Sequence, residues 1–466
     1  MKSSEDKVSH SDSIAVVQDD VDTNVRTASS KKERALPAEF YSSYLSDAAK
    51  ERKPSPIRGL FPLEATPGVI SLLAGKPNAI TFPITGMSLD VASPSDPSQS
   101  RTIKVEESDL KAGLQYGPTA GFPPLLDWIT KLQEISHGRK SGDTWRVSMG
   151  NGSQDLIYKA VQAMVNRGDA VLLEKPMYAG VIPMFQALHC EMIEVDTDAE
   201  GISSHSLRNI FENWPAGKTK PKVLYTVPYG CNPTGMTATI ARRKEVIALS
   251  REHGFIILED DPYFYLYYGP EPRPPSYFSL EAEQPEVGRV LRFDSLSKIL
   301  SSGMRIGFVS GPAALIGAMD MHTATANLQC VGLTQSITYT LLHAWGHDSF
   351  LVHTRNVSAF YREKCAVFEW AMNEYLTGLC EWTPPQAGMF FWFKLLVPGG
   401  DSESIIRKKA FEQGVLALPG TVFLPNGDKT AYVRASFSLL DEKDAVEAIK
   451  RLRRVLLDVR GEHGEV

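Results

Sequence analysis

Between residues 145 and 310 the chain repeats one pattern, a short continuous apolar run of strand length followed by a stretch of helical character. The runs are Arg146 to Met149, Ala170 to Glu174, Val223 to Val227, Phe255 to Glu259, Val290 to Phe293 and Ile306 to Ser310. Two intervening stretches place apolar residues at helical spacing: Leu156, Ile157, Ala160, Val161, Met164 and Val165 in one, Ile240, Val246, Ile247 and Leu249 in the other, which closes on Gly254. A strand apolar along its whole length is covered on both faces, and helices between such strands are the crossovers a parallel sheet requires. The expected fold class is α/β, a mostly parallel sheet with helices on both faces.

The pattern changes on either side. Residues 1 to about 38 are rich in Ser, Asp, Lys and Thr and too poor in large apolar groups to offset the entropy of ordering, so they read as a mobile tail. A short helix and a Pro-Ser-Pro turn are expected from Phe40 to Arg58, a strand from Val69 to Gly75, and a polar surface loop over 91–108. Residues 330–378 read as largely helical. Strands follow at Met389 to Phe393, Val415 to Leu418 and Ala431 to Ser436, with a closing helix from Glu442 to Leu457, which together make a smaller α+β domain.

Composition removes several function classes. A net charge of −6 argues against nucleic acid as a partner. No run of about 18 apolar residues exists to span a membrane. The five cysteines are scattered, odd in number and never paired as C-x-x-C, which points to a reducing compartment without structural zinc; no metal is expected. Ile14 to Val17 is too short for a signal-peptide core, and Asp12, Asp19, Asp20 and Asp22 argue against an acidic-poor presequence, so a cytoplasmic location is expected by elimination.

In a parallel sheet, ligands bind beyond the carboxyl ends of the strands, so the informative residues are those just after each run. They are Gly150-Asn151-Gly152-Ser153-Gln154, Pro176-Met177-Tyr178, Asn232-Pro233-Thr234-Gly235, Asp260-Asp261-Pro262-Tyr263 and Ser295-Leu296-Ser297-Lys298, with Arg305 a little further on. The first begins a G-x-G-x-x-G dinucleotide pattern, but Asp155 stands at its third glycine. The helix it opens offers free N–H groups and a partial positive end to a phosphate. Serine hydroxyls and the Arg305 fork can close on the same oxygens, leaving Lys298 free for covalent chemistry. Asp260 has no basic neighbour in sequence, and a buried unpaired carboxylate is costly. It needs a cation such as a protonated heterocyclic nitrogen, unless it caps a helix or pairs with Asp261 at the surface. Tyr178 can lie on a ring face, and Tyr263 and Asn232 can hold a ring oxygen. Lysine, carboxylate, ring-oxygen donors and phosphate cup together describe pyridoxal phosphate.

Asn232 to Gly235, Asp260 to Tyr263 and Ser295 to Lys298 with Arg305 resemble fold-type I aminotransferases related to aspartate aminotransferase. Pro54 to Arg58, Leu73 to Asn78, Gln115 to Gly121 and Val433 to Ser438 are similar to the aromatic and kynurenine/aminoadipate branch of that family. The resemblance implies that Lys298 carries the cofactor covalently and then moves protons between the substrate Cα and the cofactor C4′, a step worth roughly 10² to 10⁴ in rate. It implies that Asp260 keeps the pyridine nitrogen protonated, that Asn232 and Tyr263 bind the ring O3′, and that Tyr178 stacks on the ring. Ser153, Gln154, Ser295, Ser297 and Arg305 would hold the phosphate, with Tyr116 reaching the phosphate of a neighbouring subunit, so that a homodimer shares its active sites.

Arg434 would grip the substrate α-carboxylate, and Arg58, Leu73, Gly75 and Phe390 would recognise its side chain. Met177 departs from the small polar residue usual before the stacking tyrosine. The implied activity is transamination of aromatic amino acids, with kynurenine or 2-aminoadipate as rivals and 2-oxoglutarate or another 2-oxo acid as acceptor. A pyridoxal-phosphate lyase of the same fold is the alternative, and a cofactor-sensing regulator a remote one. The implied division is a tail over 1–38, an N-terminal segment over 39–90 that contributes to the small domain and the site, a large cofactor domain over 91–345 and a small domain over 346–466.

Overall fold

The computed structural model describes residues 33–73 and 75–461. An outlying antiparallel hairpin pairs β1 (Ser88–Ala92) with β2 (Ser100–Lys104). The large sheet contains β3 (Arg146–Gly150), β4 (Ala170–Lys175), β5 (Glu191–Asp198), β6 (Gly201–Ile202), β7 (Val223–Thr226), β8 (Ile256–Asp261), β9 (Val290–Ser295) and β10 (Gly307–Gly311). Its order is β3-β10-β9-β8-β7-β4-β5-β6. Strands β9, β8, β7, β4 and β5 are parallel neighbours, and β10 runs against both β9 and β3.

Alternation along each strand feeds two cores. In β8, Ile257 enters one face, while Ile256 and Leu258 enter the other; Leu224 and Tyr225 of β7 divide the same way. A third core belongs to a four-stranded antiparallel sheet, ordered β11 (Cys380–Trp382), β12 (Phe390–Leu395), β14 (Tyr432–Ser436), β13 (Leu418–Pro419). There Phe391, Phe393 and Val433 pack with Ile449, Leu452 and Leu456 of the closing helix, Glu442–Arg460. The helical bridge Gly332–Leu376 breaks at Gly346, whose φ of 70° and ψ of 171° lie outside the helical region.

Several expectations need correction. Val69 to Leu73 is not a strand: it has no strand partner, and Ile70 and Leu72 are 91% and 98% exposed. Periodicity gave it strand character, but a strand exists only where another edge pairs with it. The polar loop expected over 91–108 is largely the β1–β2 hairpin followed by helix Glu107–Gly113. Its turn is held by Asp96, whose carboxylate accepts from the Ser98 N–H at 3.1 Å; an exposed hairpin needs no apolar run. Strand β5 was unforeseen because it alternates acidic and apolar residues close to the sheet edge. The expected strand over Val415 to Leu418 shrinks to Leu418–Pro419. Of the expected tail, residues 1–32 lie outside the described residues, whereas Glu33 to Leu36 are docked: Ala35 bridges to Val287, and Glu33 accepts from Arg139 at 2.7 Å.

Candidate active site

Strands β3, β4, β7, β8 and β9 share one direction and end at Gly150, Lys175, Thr226, Asp261 and Ser295. Strand β10 begins at that same edge, with Gly307 paired to both Gly150 and Ser295, so Arg305 arrives there from the opposite direction. The rim thus collects the five segments read from the sequence. Gly152 has φ of +86° and caps helix Ser153–Met164. A Cβ there would lie 2.3 Å from Arg305 Nη2, and one on Gly307 would lie 2.6 Å from the Ser153 nitrogen. Bare backbone at both positions lets three segments converge on one cradle.

Arg305, itself left-handed at φ 53°, is anchored by donating to the Asn151 carbonyl at 3.0 Å and to Ser297 Oγ at 3.3 Å. The Ser297 N–H donates to Ser295 Oγ at 3.2 Å. Gln154 donates to the Gly180 carbonyl at 2.6 Å, tying the start of the helix to the Tyr178 loop. Asp155 caps the Asn151 N–H at 2.9 Å and pairs with Lys159 at 2.7 Å, which is why it can occupy the third glycine position. A helix N-terminus, two serines and an arginine around one concavity suit a phosphate.

At the end of β8 two adjacent aspartates take opposite fates. Asp261 turns to the fully buried Arg292 at 2.7 Å, which also binds Asp294 at 2.7 Å. Asp260 is 3% exposed; its Oδ2 accepts from the Tyr225 hydroxyl at 2.6 Å, while Oδ1 is buried with no hydrogen-bond partner. Burial, reinforced by Asp294, pushes its pKa up to about 7 against the lowering effect of the Tyr225 hydrogen bond. The helix-cap and surface-pair readings of Asp260 are both excluded by this geometry. A buried carboxylate with one empty oxygen fits the protonated nitrogen of a pyridine ring, and so the donor set fits pyridoxal phosphate.

The remaining residues face the same space. Arg434 donates to Asn232 Oδ1 at 2.9 Å and lies over the Phe390 ring at 4.3 Å and the Phe423 ring at 5.1 Å. Its Nε is buried without a partner. Tyr263 is buried and meets Phe390 edge-on at 6.1 Å. Tyr178 folds over Gly180, where a Cβ would lie 2.4 Å from the phenol carbon Cζ. Burial raises the pKa of both tyrosines, and the Asp260 carboxylate adds to it. Burial, then Arg305 and Arg434, hold the Lys298 amine below the ordinary lysine range, which favours the neutral nucleophile.

Three expected residues stand apart from this cluster. Tyr116 is 53% exposed in a cleft of about 530 Å³ that it shares with Asn151 and Gln329. Gly75 sits in an irregular segment with open space where a side chain would be. Arg58 opens the 3-10 helix Arg58–Ala65, and its side chain lies outside the described residues. Reading the sequence also missed Tyr225 and Arg292. Tyr225 passed as an apolar strand residue, although a phenol in a fully buried strand needs an acceptor.

The class I and II aminotransferase family model matches residues 85–452. The aminotransferase tdiD of Emericella nidulans is 42% identical over 410 residues, covering 87% of this chain and 94% of its own. The mitochondrial kynurenine/alpha-aminoadipate aminotransferase of Mus musculus is 36% identical, covering 89% and 99%. Among solved structures, the aminotransferase Aro8 of Candida albicans superposes with a TM-score of 0.84 at 25% identity, covering 92% and 100%. The kynurenine aminotransferase of Pyrococcus horikoshii, solved in complex with PMP, superposes with a TM-score of 0.69 at 28% identity, covering 89% and 97%. This chain is a pyridoxal-phosphate-dependent enzyme that belongs to the class I and II aminotransferases, of the fold-type I kind.

Proposed function

We propose that the enzyme transaminates aromatic amino acids, with kynurenine and 2-aminoadipate as further donors and 2-oxoglutarate or another 2-oxo acid as acceptor. The observation that carries this reading is Arg434, held by Asn232 and flanked by the rings of Phe390 and Phe423. A bidentate guanidinium suits the α-carboxylate common to amino and oxo acids, and apolar rings beside it suit an aromatic side chain. The names of the relatives from Mus musculus and of an aromatic amino acid aminotransferase from Schizosaccharomyces pombe, 30% identical over 89% of this chain, support the same donors.

Bound pyridoxal phosphate supplies an electron sink for the bond that breaks at the substrate Cα. In the proposed roles Ser153, Gln154, Ser295, Ser297 and Arg305 bind the phosphate, and Asn232 and Tyr263 donate to the ring oxygen. Tyr178 covers the ring face, Asp260 holds the proton on the ring nitrogen, and Lys298 takes the Cα proton. The N-terminal segment 39–90, with Arg58, Leu73 and Gly75, stands apart from the cluster in the free chain and is assigned to the side-chain pocket on the family resemblance alone. The large domain over 91–345 carries the cofactor, and the small domain over 346–466 brings Arg434 and Phe390.

Mixing the purified enzyme with phenylalanine, kynurenine or aminoadipate, without any oxo acid, tests the reaction class and ranks the donors. One equivalent of pyridoxamine phosphate per site is the expected product. A released product without that conversion would favour a lyase instead. Arg434→Ala should raise KM for amino and oxo acids alike, on the order of tenfold or more for one lost charged contact; a change confined to cofactor affinity would remove Arg434 from this role.

A homodimer and a cytoplasmic location belong to the same proposal. Exposed apolar residues in the 57–84 segment, among them Ile70, Leu72 and Ile80, together with Val331 and Tyr116 beside the 530 Å³ cleft, support a second copy seated there. Sedimentation at the mass of one chain would end the reading in which Tyr116 completes a neighbouring site. The five free cysteines support a reducing compartment, and among the described residues no helix is long and apolar enough to cross a membrane. The mitochondrial relative leaves that organelle as the rival, which fractionation of cells decides.

A further inference from the structure

Tyr225 lies in the middle of the large sheet, fully buried, with its Cα paired to Leu258 of β8. Leu258 and Asp260 stand two residues apart on one strand and so point to the same face. The Tyr225 hydroxyl reaches along that face and donates to Asp260 Oδ2 at 2.6 Å, a length typical of a charge-assisted bond. Burial and the nearby Asp260 carboxylate hold the phenol in its protonated form, which gives it a hydrogen to donate. The other oxygen of Asp260 is left empty.

We infer that Tyr225 is a positioning residue that fixes the Asp260 carboxylate with Oδ1 turned toward the cofactor ring nitrogen and favours its ionised form. The inference rests on the reading of Asp260 as the partner of that nitrogen. Two consequences follow from the geometry. Rotation of the carboxylate about its Cβ–Cγ bond would break the bond to Tyr225, so the open oxygen has a fixed direction. Without the phenol both oxygens would be buried and unpaired, and the carboxyl would hold its proton more tightly still. A neutral acid gives the ring nitrogen no reason to keep its own.

A merely structural tyrosine would satisfy its own hydroxyl and nothing more, and a double-mutant cycle separates the two cases. The probe is pyridoxamine phosphate, which cannot link covalently to Lys298, titrated calorimetrically into the cofactor-free full-length enzyme. Tyr225→Phe and Asp260→Asn should each weaken binding by roughly tenfold or more, the size of one hydrogen bond to a charged group. In the Asp260→Asn background, Tyr225→Phe should add less than about twofold, since it has no carboxylate left to position. Equal losses in both backgrounds, or wild-type affinity in Tyr225→Phe, would overturn the inference. Wild-type affinity in Asp260→Asn would overturn the reading of Asp260 itself, and this inference with it. Should Tyr225→Phe fail to fold, Tyr225→Met, which also lacks the donor, takes its place in the same cycle under the same criterion.

Discussion

Lys298→Ala is expected to abolish transamination while leaving the fold intact. Lys298 stands in the turn just after β9, half-buried, between Ser297 and the apolar Ile299 that enters the core. No secondary-structure ladder depends on its side chain, so its removal costs the fold little. In its proposed role, what is lost is the amine that both attaches the cofactor and carries the proton away from the substrate Cα. The acid–base step alone is worth roughly 10² to 10⁴ in rate, and the covalent attachment comes on top of it. The check is turnover together with the visible absorbance of the bound cofactor and the melting temperature of the cofactor-free protein. Near-normal turnover would mean that another group moves the proton. Because burial, Arg305 and Arg434 lower the Lys298 pKa, the rate in wild type should rise with pH and level off below the ordinary lysine range. Lys298→Arg, which cannot deprotonate, should be as inactive as the alanine variant.

The rim was legible in the sequence because each strand there ends where an apolar run stops and a polar cluster begins, as at Leu258 to Asp260 and Phe293 to Ser295. Position along the chain sufficed for these. It did not suffice to tell Asp260 from Asp261, since they are identical in type and adjacent. Which one is left free of an arginine partner depends on the register of β8 on β9, where Asp261 pairs with Asp294 and Asp260 with Phe293, and on Arg292 neutralising the former from inside the sheet. Pairing across strands is a property of the sheet and leaves no mark in one strand's residues. The same holds for Tyr225, whose partner lies 35 positions away. Arg434 has nothing beside it in sequence that marks it off from a surface strand arginine; only the approach of β14 to the Asn232 loop makes it half-buried and bound. Conversely Val69 to Leu73 has every local mark of a strand and lacks only the neighbour that would make it one.

Asp260→Asn should have two effects that can be measured independently. The first is on catalysis. Asparagine keeps an acceptor for Tyr225 but presents no charge to the ring nitrogen, so the electron sink is weakened, by on the order of 10² or more in kcat for one lost electrostatic contact in a dry site. The second is on the cofactor-free protein. Asp260 has a folded pKa of about 7 against 3.8 for the free side chain, because burial disfavours its charge. Between those two values the unfolded chain has released a proton that the folded chain still holds. Stability therefore falls as pH rises across that window, by up to about 1.4 kcal/mol per pH unit for each such group. Glu174, also buried and raised to about 7, adds to the same slope and is untouched by the substitution. The Asn variant should accordingly lose less stability than wild type between pH 4 and 7, the difference amounting to one proton. Denaturant titrations of both cofactor-free proteins at several pH values measure it. Identical slopes would mean that Asp260 is already ionised in the empty site, and that its open oxygen has found a cation within the protein before the cofactor arrives.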